Sequence, residues 1–184
     1  MLLVSERESL PVREARAGNP EAWDVLFKRY QRPLYTYVFG LVHNEQAGLD
    51  IAQETFIAAA RHIGGLREDD KFGSWLFGIA HQKCVQLWRK TARETVPLDE
   101  RDDERPDDEA GPEELLIRKE QEALLMNFVD QLTPPHRAVL LLHFLEDFSL
   151  EEIARVTDSG VGTVKSRLHY AKKSLRKLLE ENQP

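Results

Sequence analysis

The sequence predicts an all-α protein of two small helical domains joined by an acidic, flexible linker, the second domain carrying a helix-turn-helix. Three observations predict it. Apolar residues recur every three or four positions in segments bounded by cap and breaker residues. Between Val96 and Leu115 ten carboxylates stand against two arginines, with three prolines and a glycine among them, and such a composition cannot bury a core. From Ser149 to Glu180 a capped short helix, a tight turn and a basic second helix follow one another. The expected organisation is therefore a domain over 1–95, a linker over 96–115 and a domain over 116–184.

The whole-chain properties agree. With 184 residues and 41% hydrophobic content, two small cores are within reach. The net charge of -7 argues against a protein that coats nucleic acid indiscriminately. The acidity is local: residues 1–19 sum to 0, 20–95 to +1, 96–115 to -8 and 116–184 to 0. A single cysteine, Cys84, leaves no internal disulfide. Met1-Leu2-Leu3-Val4 gives way to Ser5-Glu6-Arg7-Glu8, which is not a signal-peptide pattern. No apolar run approaches membrane-spanning length, so no membrane insertion and a cytoplasmic location are expected.

Residues up to Ala17 allow a short leading helix. Asn19 before Pro20 marks the next start, because Asn caps well and Pro is tolerated at the first helical position. That helix should bury Trp23, Leu26, Tyr30, Leu34, Val38 and Leu41 and bend at Pro33. Asn44 can cap the following helix, whose apolar residues are Leu49, Ile51, Ala52, Phe56, Ala59, Ala60 and Ile63. Gly64-Gly65 ends it. Its polar side, Asp50, Gln53 and Glu54 beside Phe56 and Ile57, fits either a solvated face or a partner surface.

After the loop Leu66–Asp70, a third helix runs from Lys71 to about Arg93, although Gly73 and Gly78 each cost about 1 kcal/mol relative to alanine. Its later part carries Gln82, Lys83, Gln86, Trp88, Arg89, Lys90 and Arg93. Amides, cations and an indole can hydrogen-bond base edges, hold phosphates and stack on unpaired bases. Phe72, Leu76, Ile79 and Leu87 suit a core, whereas Trp75 and Trp88 suit either role. Beyond the linker, Pro112 opens a helix to about Leu132. Thr133-Pro134-Pro135 ends it and starts another that buries Val139, Leu142 and Leu145.

Ser149 and Glu152 have the spacing of a capping box, and Leu150, Ile153, Ala154 and Val156 give the short helix its apolar side. Thr157-Asp158-Ser159-Gly160 favours a turn. In the second helix Val161, Val164, Leu168, Ala171, Leu175 and Leu178 form one stripe at the helical period. Lys165, Arg167, Lys172, Lys173, Arg176 and Lys177 give it six cations with no carboxylate among them. A solvated amphipathic helix would explain the charges alone. The cap, the turn and the apolar inner positions together point instead to a helix-turn-helix that enters a major groove and neutralises phosphates.

Catalytic patterns are missing. His81 and Cys84 lie three apart on one helix, but a zinc site needs three or four ligands and none follows at a suitable spacing. There is no Gly-rich phosphate loop or nucleophile elbow. The expectation is no metal, no cofactor and no enzyme.

Leu150-Glu151-Glu152-Ile153-Ala154 followed by Val161-Gly162-Thr163-Val164-Lys165-Ser166-Arg167-Leu168-His169 resembles the promoter-reading domain four of bacterial extracytoplasmic-function sigma factors of the sigma-70 family. Asp50-Ile51-Ala52-Gln53-Glu54-Thr55-Phe56 is similar to their domain-two helix that docks on the polymerase clamp. Trp75-Leu76-Phe77-Gly78-Ile79-Ala80 resembles the start of the helix that recognises the upstream edge of the melted −10 element. The resemblance covers about Asn19 to Leu179. It implies a transcription initiation factor that binds core RNA polymerase and directs it to specific promoters.

By that resemblance, Asp50, Gln53, Glu54, Phe56 and Ile57 would bind core polymerase. Lys71, Trp75, Gln82, Lys83, Gln86, Trp88, Arg89 and Lys90 would face −10 DNA, and the Leu66–Lys71 loop would accept a flipped base. Arg155, Thr163, Lys165, Ser166, Arg167, His169, Tyr170 and Lys173 would face the −35 element. The implied partners are core polymerase, through its beta-prime clamp and beta flap, promoter DNA and an anti-sigma factor. The acidic linker would pass through the active-site and RNA-exit region of the polymerase.

Four departures matter. Asparagine is common in the family where Gln82 stands, aspartate or asparagine at Gln86 and arginine at Tyr170. Thr157-Asp158-Ser159-Gly160 replaces a turn that usually holds two aliphatic residues, a loss expected to loosen the motif by about 1–3 kcal/mol. That weakened turn is what a rival reading rests on: a sigma-like decoy that binds an anti-sigma factor or other regulator without directing transcription.

Overall fold

The computed structural model describes residues 10–94 and 129–181, and every regular element among them is helical. The elements are α1 (Val12–Arg16), α2 (Pro20–Val42), α3 (Glu45–His62), α4 (Phe72–Glu94), α5 (Pro134–Glu146), α6 (Leu150–Val156) and α7 (Val161–Glu181). Single 3-10 turns at Ile63–Gly65 and Asp69–Lys71 join α3 to α4. The acidic linker, and the helix expected from Pro112 except for residues 129–132, lie outside the described residues.

Local chemistry sets the helix starts. The Asn19 side chain accepts from the Ala22 N–H at 3.2 Å with Pro20 in the first position, and Asn44 accepts from Ala47 at 2.8 Å. Each satisfies a donor that a helix start leaves orphaned. Pro33 lies inside α2 without ending it. Both α2 and α5 end on left-handed residues that are not glycine, His43 at φ 50° and Asp147 at φ 52°.

α1 to α4 form one unit around Tyr30, Tyr37, Phe72 and Phe77, with Leu26, Leu34 and Leu76. Such rings bury large apolar areas, and tilted or edge-on pairs add to that. Phe77 lies 5.4 Å from Tyr37, and Phe72 5.6 Å from Tyr30. Gly73 has its reason here: a Cβ would sit 2.9 Å from the Tyr30 hydroxyl. A Cβ at Gly78 would touch nothing within 4 Å, so packing does not require that glycine. Trp23 is only half buried and donates its indole N–H to the Ala15 carbonyl at 3.0 Å, tying α1 down. On α3 the expected apolar set is divided. Ile51, Ala59 and Ile63 are buried, whereas Leu49 and Ala60 face solvent and Phe56 is half buried.

α5 to α7 form the second unit, on an aliphatic core of Val139, Leu140, Leu142, Ile153, Val164, Leu168 and Ala171. The expected capping box is present: Ser149 Oγ accepts from the Glu152 N–H at 3.2 Å, and Glu152 Oε2 accepts from the Ser149 N–H at 3.0 Å. Val161, expected in the stripe of α7, is exposed because it is the first residue of the helix and precedes the packed turns. Leu145 and Leu175 are half buried.

The two units pack against each other, α5 on α2 and α6 on α4. Arg137 of α5 is buried and donates to the carbonyls of Val129, Leu132 and, in the other unit, Gly40 at 2.8 Å. A buried guanidinium is tolerable only when its donors are used in this way. Phe77 meets Phe148 edge-on at 5.5 Å across the same boundary.

Candidate nucleic-acid interface

α4 separates its chemistry by face. Leu76, Phe77, Ala80 and Cys84 are buried, whereas Gln82, Gln86, Arg89 and Lys90 are exposed. Steps of three and four put those last residues on one side of the helix. Trp75 lies seven residues before Gln82, half buried against Phe72 at 5.9 Å. An indole braced from beneath with an open edge can serve both core and ligand. Trp88 is also half buried, and with His81, Pro134 and Arg167 it lines a cleft of about 300 Å³ between the two units. It is turned away from the exposed face that carries the glutamines.

Two cations of this group are engaged. Lys83 Nζ donates to Glu54 at 2.7 Å, which joins the expected −10 surface to the expected polymerase surface. Lys71 Nζ is 3.0 Å from Asp70 and 3.4 Å from Glu152 of α6.

On α3, Asp50, Gln53, Glu54 and Ile57 are exposed together, and Asp50 accepts from Gln46 at 3.0 Å. Phe56 pairs with Phe27 of α2 at 4.9 Å, and Phe27 remains 44% exposed. Phe27 escaped the sequence reading. The signal was available, since with Trp23, Leu26 and Tyr30 it completes the i, i+3, i+4, i+7 spacing of one helix side.

In the helix-turn-helix, Arg155, Thr163, Lys165, Ser166, His169, Tyr170 and Lys173 are exposed, and Tyr170 stacks edge-on with His169. Two cations of α7 depart from a purely solvent-facing row. Lys172 approaches His143 at 3.2 Å and lies over the Phe144 ring. Arg167 donates to Ser159 Oγ at 2.9 Å, and Ser159 Oγ donates to the Thr157 carbonyl at 3.2 Å. Thr157 Oγ1 in turn donates to the Ile153 carbonyl at 2.8 Å. The turn that lacks aliphatic contacts is therefore held by polar bonds, and one cation expected at DNA is used to make them. The left-handed residue of the turn is Asp158, at φ 48°, rather than Gly160.

His81 and Cys84 are not presented as metal ligands. The Tyr37 hydroxyl is 2.8 Å from His81 Nδ1. Burial, with Arg167 nearby, lowers the imidazole pKa to about 4, so the ring is neutral. Burial also pushes the Cys84 thiol up to about 12, which disfavours the thiolate a metal needs. Among the described residues no three potential ligands cluster, and no helix is long and apolar enough to cross a membrane.

The Sigma-70 region 2 family model matches residues 26–94, and the Sigma-70 region 4 model matches residues 118–175. The RNA polymerase sigma-H factor of Pseudomonas aeruginosa is 32% identical over 187 residues, covering 97% of each chain. SigW of Bacillus subtilis, an extracytoplasmic-function sigma factor, is 26% identical over 92% of this chain and 95% of its own. Two solved structures share the fold. CnrH, in complex with the cytosolic domain of CnrY, covers 97% of this chain with all of its own at a TM-score of 0.68 and 22% identity. RpoE of Bartonella quintana, in complex with the anti-sigma factor NepR, covers 89% with 99% of its own at 0.71 and 19%. With both matched regions in order and matches along nearly its entire length, the chain belongs to the extracytoplasmic-function branch of the sigma-70 family of RNA polymerase sigma factors.

Proposed function

We propose that this protein directs core RNA polymerase to promoters by reading −35 duplex with α7 and melted −10 DNA with α4, without catalysing a reaction. The observation that carries the reading is the pair of solvent-facing helix surfaces, one in each matched region: Gln82, Gln86, Arg89 and Lys90 on α4, and Thr163, Lys165, Ser166, His169, Tyr170 and Lys173 on α7. Phosphate contacts from the lysines would fix register, while amides and hydroxyls read base edges. Trp75 would hold the separated strand, and the Leu66–Lys71 loop would take an unpaired base.

Core polymerase would dock through its beta-prime clamp on Asp50, Gln53, Glu54, Phe56 and Ile57, with Phe27 extending the apolar part of that surface. The beta flap would meet the second domain. The proposed boundaries remain 1–95, 96–115 and 116–184, with the acidic 96–115 stretch imitating nucleic acid inside the polymerase. RpoE of Bartonella quintana, of the same fold, is in complex with an anti-sigma factor, which supports such a partner for this chain in the cytoplasm.

Run-off transcription with purified core polymerase and genomic DNA tests the reading, and protein-dependent start sites are expected. Lys165→Glu should weaken dependence on the −35 element at least tenfold and leave core binding unchanged. Core binding without any transcript from the genomic pool would sink the initiation role and leave a decoy.

A further inference from the structure

α1 is five residues long, too short to persist as a helix in water on its own, so tertiary contacts hold it in place. Val12 and Ala15 are buried. The Trp23 indole donates to the Ala15 carbonyl at 3.0 Å, and the Asn19 N–H donates to the Glu14 carbonyl at 3.0 Å. From this anchored turn Arg16 reaches a loop 50 residues further along the chain. Its Nη2 donates to the Leu66 carbonyl at 2.9 Å and to Asp69 Oδ1 at 2.5 Å.

Those two acceptors bracket the exposed pair Arg67 and Glu68. The loop is closed from its other end as well: the Lys71 N–H donates to the Glu68 carbonyl at 3.1 Å, and Ser74 Oγ donates to the Lys71 carbonyl at 3.2 Å. The same corner of α1 and α2 also reaches α4. The Trp23 ring meets Phe72 at 6.3 Å, and Phe72 lies 5.9 Å from Trp75. One short helix therefore braces both sides of the place where an unpaired base would sit, the loop through Arg16 and Trp75 through the Trp23–Phe72 pair.

The Arg16 and Asp69 side chains are 30% and 42% exposed, and an ion pair so open to water adds little to global stability. A surface loop, however, needs little to favour one of its conformations over another. The pair is thus suited to shaping the loop rather than to holding the fold.

We propose that Arg16 is a positioning residue for promoter specificity: by clamping Leu66 to Asp69 it fixes the shape of the Leu66–Lys71 loop, and so sets which unpaired base of the −10 strand the loop accepts. Arg16 acts through the loop and not by touching DNA. The inference rests on the promoter reading for the base, and on the hydrogen bonds alone for the clamp.

The test uses the full chain. In the free protein, amide hydrogen exchange over 64–71 should be about threefold faster or more in Arg16→Ala, with α2 and α3 unchanged. Equal exchange over that segment overturns the clamp. With core polymerase, run-off transcription is then measured on a promoter found in the genomic assay, each −10 position being replaced in turn by the other three bases. Arg16→Ala should lower the preference for the native base by about fivefold or more at one position and by less than about twofold at the rest. A loss spread evenly over all positions, or no loss, overturns the role in specificity. Asp69→Ala should lose preference at the same position, and the double variant should lose no more than Arg16→Ala alone. Losses that multiply overturn the proposal. If Arg16→Ala fails to fold by circular dichroism, Asp69→Ala carries both measurements with the same expected results. If the parent chain yields no protein-dependent transcript, the promoter reading fails, while hydrogen exchange still decides the clamp.

Discussion

Region 2 is built on rings and region 4 on small aliphatic groups braced by polar bonds. The α1–α4 unit fully buries Tyr37, Phe72 and Phe77, whereas α5–α7 have no fully buried ring among the described residues. In their place stand the Ser149 capping box, the Arg167–Ser159–Thr157 chain and the Arg137 carbonyl cluster. Burial of a ring is non-directional and large, so it tolerates a mixed surface above it. Polar bracing is directional and modest for each bond. It fixes the angle of α7 without the volume of a large core. The difference explains how a turn without aliphatic residues still presents α7.

Four substitutions would break or sharpen this contrast. Phe77→Ala should have the largest effect, about 3–5 kcal/mol, because Phe77 packs on Tyr30, Tyr37 and, across the boundary, Phe148. Chemical denaturation measures it. If Leu168→Ala proves as costly, the second core is not the lighter one.

The next effect depends on pH. His81 has a folded-state pKa of about 4 against an ordinary 6.5, so the folded state binds its proton less readily than the unfolded chain. The stability linked to it is complete above about pH 6.5 and is lost as pH falls toward about 4. The full window corresponds to about 3 kcal/mol. Glu146, whose carboxyl burial raises, acts in the opposite sense, so the useful quantity is a difference. Melting His81→Gln and the parent protein from pH 7.5 to 4.5 should show a shallower slope for the variant. Equal slopes would remove His81 from the boundary chemistry.

Ser149→Ala should cost about 1 kcal/mol, the usual worth of an N-cap, confined to α6 and α7. Thermal melts followed by circular dichroism would register it. A negligible change would mean that region 4 leans on region 2 more than on its own caps.

Much of this was legible in the sequence because it depends on neighbours in the chain. Asn19, Asn44 and Ser149 cap helices through bonds to residues three positions on, and local spacing is enough to find them. The polar face of α4 and the exposed residues of α7 follow from helical period. Where a residue's partner is remote, the reading failed. Leu49 and Val161 keep the apolar period yet face solvent, because no element among the described residues packs over them. Arg167 sits in a basic row, but the fold turns it back onto Ser159.

By itself the sequence determined an all-α chain, the starts and ends of most described helices, the helix-turn-helix and the family, since these rest on period, caps and short motifs. The tertiary structure alone decided that Arg29 meets Glu146, 117 residues away, and that Lys71 meets Glu152, 81 residues away. It also decided that Arg137 closes the end of α2. Opposite charges are plentiful in this chain, and only the packing of one helix on another selects which of them come within bonding distance.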